Sequence, residues 1–169
     1  METAAVVAPV APPPQPRRRE MTHSAEAVKT PTEEARAPDL AQAVRALANQ
    51  GKLDEALAAS EGAIAADKLN PALYYLGATI LQEVNRESEA MAALKRALYI
   101  DPRFVLAHFA LGNLAQRRGN AMAAKRSFEN ALALLGDCGQ DDILPEAEGL
   151  TAGRLREIIR ATLQTGALT

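Results

Sequence analysis

The chain has 169 residues, a formal net charge of −2, 36 alanines and 21 leucines, yet no tryptophan and only six tyrosines and phenylalanines. Sheets favour β-branched and aromatic side chains, whereas helices favour alanine and leucine, so this composition excludes an all-β fold. The balance of 19 basic and 21 acidic residues supplies no global positive field for nucleic acid, and no apolar run approaches the ~20 residues that cross a bilayer.

Residues 1–38 hold seven of the ten prolines and no glycine. Proline fixes φ and lacks an amide hydrogen, so the segment resists both helix and sheet. It is also poor in large apolar groups and cannot bury a core. The sequence predicts a disordered, partly polyproline linker here, with five basic and five acidic residues in balance. The apolar start, Met1 to Ala11, is broken by Glu2 and Pro9, and Arg17–Arg19 follow it rather than precede it. The stretch is not expected to act as a secretory signal. Cys138 is the one cysteine, which rules out an intramolecular disulfide or a cysteine-based zinc cage. A cytoplasmic location is expected.

From Asp39 the texture becomes helically periodic. Ala56, Ala90 and Ala124 recur every 34 residues, as do Ala63, Ala97 and Ala131. Gly51, Asn85 and Gly119 keep the same interval, and so do Ile64, Leu98 and Leu132. Small residues in fixed columns at this period are the mark of the tetratricopeptide unit, a helix–turn–helix. The signature tryptophan is replaced by Leu40, Tyr74 and His108, all able to pack. Helices are predicted near 39–50, 53–67, 71–84, 87–100, 104–118 and 121–135. Gly51, Asn85 and Gly119 then fall in the turns, where glycine and asparagine accept a left-handed backbone. Asp101-Pro102 should close one repeat and open the next, since proline suits a helix start.

The expected architecture is therefore all-α: a tetratricopeptide solenoid of about three repeats, at 39–136, with units near 37–70, 71–104 and 105–138. An acidic, turn-rich loop follows at 137–150, expected to be solvated. A final helix spans 151–165, capped by Thr151. Leu155, Ile158, Ile159, Thr162 and Leu163 form one stripe on it, as a solenoid's terminal cap requires.

Residues 141–163 read DDILPEAEGLTAGRLREIIRATL. This stretch resembles the C-terminus of CheR-type chemotaxis receptor methyltransferases that carry tetratricopeptide repeats behind their catalytic domain. YYLGATILQE (74–83), ALYIDPRFVLAHFALGNLAQRRGN (97–120) and SFENALALL (127–135) resemble the same proteins. The resemblance covers about residues 39–165, and Leu144-Pro145, Glu148-Gly149-Leu150-Thr151 and Gly153-Arg154-Leu155 are its most specific parts. It implies a regulatory region that works beside a protein-glutamate methyltransferase. The catalytic domain itself has no counterpart, because the first 50 residues offer no glycine-rich turn after a strand. The chain reads either as a separated repeat region or as the tail of a longer enzyme.

No catalytic, cofactor-binding or metal-binding residue is expected, and no cofactor. His108 reads as a packed histidine, the acidic stretch lacks the ligand spacing of a calcium loop, and no serine–histidine pairing stands out. The candidate site is a concave groove lined by the first helix of each repeat. Placing the small-residue columns inward leaves Arg45, Asn49, Tyr75, Thr79, Gln82, Glu83, Phe109, Asn113, Gln116 and Arg117 on that face. Tyrosine, phenylalanine and arginine suit a protein or peptide partner. The candidate partners are a methyltransferase catalytic domain, a chemoreceptor or another chemosensory protein, without nucleic acid and without membrane insertion. A clamp for a peptide's terminal carboxylates needs lysines and asparagines on this face. Ala41, Tyr75 and Phe109 stand there instead, so a chaperone-tail binder is disfavoured. A generic tetratricopeptide adaptor outside chemotaxis is the remaining alternative.

Overall fold

The structure is a computed structural model and describes residues 36–166. The first 35 residues of the predicted linker lie outside it, and its last three open the first helix. Seven helices are described: α1 Arg36–Asn49, α2 Leu53–Ala66, α3 Pro71–Glu83, α4 Glu87–Ile100, α5 Val105–Arg117, α6 Ala121–Leu135 and α7 Ala152–Gly166. The first six pair as α1 on α2, α3 on α4 and α5 on α6, and each pair stacks on the next. No strand is formed among the described residues; a lone antiparallel bridge joins Ile143 to Thr151.

The turns within the pairs are built alike. Gly51, Asn85 and Gly119 take φ of 74°, 61° and 71°. Behind each, an amide reaches five residues back: Lys52 to Leu47, Arg86 to Leu81 and Asn120 to Ala115. The turn residue itself donates three back, as Gly51 does to Ala48 at 2.9 Å. This is the Schellman termination, and it satisfies carbonyls that a helix end leaves without partners.

The turns between pairs differ more. Pro71 opens α3, and the Asn70 side chain accepts the Ala72 amide at 3.1 Å. Asp101-Pro102 separates the second pair from the third, with Pro102 in the turn just ahead of α5 rather than in its first turn. The Asp101 carboxylate accepts the Arg103 amide at 2.9 Å and the Asp101 carbonyl accepts the Phe104 amide at 3.2 Å. That turn absorbs Pro102 and delays the helix to Val105. At the column where tryptophan is usual, Tyr74 donates to the Lys68 carbonyl at 3.2 Å and His108 contacts the Pro102 carbonyl at 3.0 Å. Both side chains thus tie a helix to the turn that precedes it.

The alanines of the repeat columns are buried: Ala56, Ala63, Ala90, Ala97 and Ala131 are at most 1% exposed and Ala124 is 4% exposed. They are the points where neighbouring helices come close. Three apolar clusters run along the stack. One forms around Val44, Ala56, Leu76 and Ile80, and a second around Ala78, Leu94, Ala107 and Leu114. The third joins Phe128 and Leu135 of α6 to Leu155 and Ile159 of α7. Thr151 caps α7 by accepting the Arg154 amide at 3.3 Å, and the Arg156 guanidinium donates to the Cys138 and Gly139 carbonyls just past α6.

Candidate protein-binding groove

The first helices of the three pairs, α1, α3 and α5, supply all ten candidate residues. Along α3, Thr79 turns its hydroxyl onto the Leu76 carbonyl at 2.7 Å, while Glu83 is exposed at the helix end. Gln82 and Arg117 come together: an Arg117 guanidinium nitrogen donates to Gln82 Oε1 at 2.9 Å. The same guanidinium lies 3.3 Å from Glu87 of α4. These contacts link the second and third pairs. Asn49 and Gln116 are exposed and Asn113 is half-buried.

The aromatic residues are held more tightly than the sequence reading expected. Tyr75 is half-buried and meets Phe104 edge-on, with ring centroids 5.4 Å apart. Phe109 leans on Phe128 at 6.0 Å. Both also pack against the cluster that includes Leu144. Burial raises the pKa of Tyr75 above the usual tyrosine value; the nearby Glu148 carboxylate pushes it the same way and Arg45 opposes.

Glu148 belongs to the segment after the third pair, which the sequence reading placed in solvent. Leu144 is only 6% exposed, and Ala147 and Leu150 are half-buried in the same cluster. The segment folds back on itself. Leu144 donates to the Leu150 carbonyl at 3.0 Å and Ala152 to that of Asp142 at 2.8 Å. Its tip bends through Glu146, Glu148 and Gly149 with φ of 62°, 48° and 89°. From this tip Glu146 forms an ion pair with Arg45 of α1. The segment therefore reaches from the end of the third repeat to the first helix, beside Tyr75. The charged residues are solvated as expected, with Asp137, Asp141, Asp142 and Glu148 exposed, but Leu144 is buried and Leu150 half-buried. The two leucines that flank the acidic pair, Leu144 and Leu150, are the available signal, and they do not say which surface receives them.

His108, Cys138 and the acidic residues do not gather into a metal site: among the described residues no group of three such side chains could hold an ion. Among them, too, no helix is long and apolar enough to cross a membrane.

The architecture is that of an all-α helical-repeat solenoid of the tetratricopeptide class, and its structural neighbours belong to that class of scaffold. The chain is similar to the type III secretion translocator chaperone SycD of Yersinia enterocolitica, solved with a peptide of the translocator YopD: TM-score 0.66, 14% identity, covering 78% of this chain and 92% of that one. It is similar to the second tetratricopeptide domain of Spaghetti bound to an HSP90 peptide, with TM-score 0.56 and 23% identity over 61% of this chain and 97% of that one. The tetratricopeptide domain of Sgt2 from Aspergillus fumigatus gives 0.61 and 17%, covering 83% of this chain and 84% of that one. No family model matches the chain, and no curated protein matches it.

Proposed function

We propose that the chain is a non-catalytic interaction scaffold that receives a peptide segment of another protein on the face formed by α1, α3 and α5. The observation that carries this reading is that the face already accommodates a stretch of polypeptide, the segment tipped by Glu146 and Glu148. Two half-buried aromatics, Tyr75 and Phe109, and Arg45 beside the segment are residue types that concentrate binding energy. Structural neighbours solved with bound peptides support the same use of the fold. A terminal-carboxylate clamp is not part of the proposal, because α1, α3 and α5 contain no lysine.

The partner we propose is chemosensory: a receptor-methyltransferase catalytic domain, a chemoreceptor or an associated signalling protein. Support comes from the resemblance carried by residues 141–163. The scaffold would act by holding enzyme and receptor together, or by favouring one conformation of either, rather than by bond chemistry. A tail fragment of a methyltransferase would use the same face in cis.

The experiment is capture of a purified methyltransferase catalytic domain and of a chemoreceptor cytoplasmic region by the chain. Tyr75→Ala, Phe109→Ala and Arg117→Ala are compared with the parent, with helicity checked by circular dichroism. Capture should fall at least about tenfold in folded groove variants, as for hot-spot residues. Undiminished capture would remove the groove; capture of neither protein would remove the chemosensory assignment.

A further inference from the structure

We infer that residues 142–150 are a ligand of the groove in cis, and that the external partner is an extended peptide of the same chemistry: an apolar anchor with a carboxylate two residues on. This deepens the proposed function and rests on it. Two contacts and the backbone of the tip support the assignment. Leu144 is buried in the cluster that Tyr75 and Phe109 pack against. Glu146 pairs with Arg45 of α1. The tip is held in a left-handed backbone at both Glu146 and Glu148, a conformation that residues with side chains seldom adopt without outside contacts. Detachment would relieve that backbone and uncover Arg45 and Tyr75 together.

The chemistry of the displacing peptide follows from what the segment satisfies. Arg45 is about one-third exposed, with its side chain at 32%, and on departure of the tip offers a cationic site that favours a carboxylate. A leucine-like side chain must replace Leu144. A tethered segment competes at a local concentration in the millimolar range, so a free peptide's apparent affinity is lowered by the fraction of chains that are open. The closed tip thus sets a threshold for the partner.

The test uses the full chain, with amide hydrogen exchange across 141–151 and binding of a labelled peptide with the sequence of residues 142–150, DILPEAEGL, against a scrambled control. Glu146→Gln should speed exchange in the segment and tighten peptide binding about two- to fivefold, the scale of one partly exposed ion pair. Arg45→Ala should speed exchange equally but bind the peptide no better than the parent. Joining Arg45→Glu with Glu146→Arg should restore slow exchange, which a general loss of folding would not. Unchanged exchange in both single variants overturns the inference, as does a Glu146→Gln chain that binds the peptide no better. The proposed function fails separately: peptide competition as described, with no capture of a chemosensory protein by parent or opened chain, upholds the cis ligand and removes the chemosensory partner. Equal capture by parent and opened chains upholds the scaffold and removes the threshold.

Discussion

At Gly112 the missing side chain is a packing requirement. A Cβ there would lie 2.4 Å from the Phe128 ring. The equivalent columns one and two repeats earlier hold Ala78 with Leu94, then Val44 with Ser60, and all four are buried. The first-helix residue shrinks as the second-helix residue grows, which keeps the space between them filled. Gly112→Ala should therefore cost about 1–3 kcal/mol by overpacking, and Phe128→Leu in the same chain should recover part of it. Denaturant midpoints of both single variants and the double variant check this; additive losses would refute the size exchange. Gly119 is a contrast. It has φ of 71° and nothing within 4 Å of a built Cβ, so Gly119→Ala should cost about 1–2 kcal/mol through the backbone alone. No second substitution nearby should rescue it. Tyr75 gives a pH-dependent prediction. Its folded pKa lies above the unfolded value near 10.0, chiefly through burial. The neutral phenol is therefore favoured on folding. Its contribution is complete below the unfolded pKa and is lost as pH rises through the folded one. Stability should decline more steeply above about pH 10 in the parent than in Tyr75→Phe, read from urea midpoints across the alkaline range.

Among the elements, α7 shows what a terminal helix does for a stack. Leu155 and Ile159 are fully buried against Phe128 and Leu135, and Thr151 and Arg156 fasten its start. Ile159→Ala should destabilise the chain by about 2–5 kcal/mol, whereas the exposed Arg160→Ala should stay within about 0.5 kcal/mol. Thermal unfolding followed by circular dichroism distinguishes them. The stripe that contains Leu155 and Ile159 was legible in the sequence because helical spacing alone places those residues on one side. The column of Gly51, Asn85 and Gly119 was legible for a similar reason: a left-handed turn restricts residue type locally. Pro102 marks the boundary between repeats, but the same proline suits a helix start and a turn. The choice depended on the Asp101 carboxylate accepting the Arg103 amide, which the dipeptide does not announce.

In the whole molecule, the stack positions a single face from three helices, and the segment after the third repeat returns to it. All ten candidate residues could be placed on first helices from the 34-residue register, because each repeat contacts chiefly its neighbours and the register carries over. Their state could not be read. Tyr75 and Phe109 looked like open contact residues, yet one leans on Phe104 and the other on Phe128. By itself the sequence determined the helices, their turns and the close alanine contacts, since all of these arise between residues near in the chain or one repeat apart. Only the tertiary structure decided what lies on the groove. The pairing of Arg45 with Glu146 joins the first helix to the last loop, residues far apart in the chain, so no local pattern announces it.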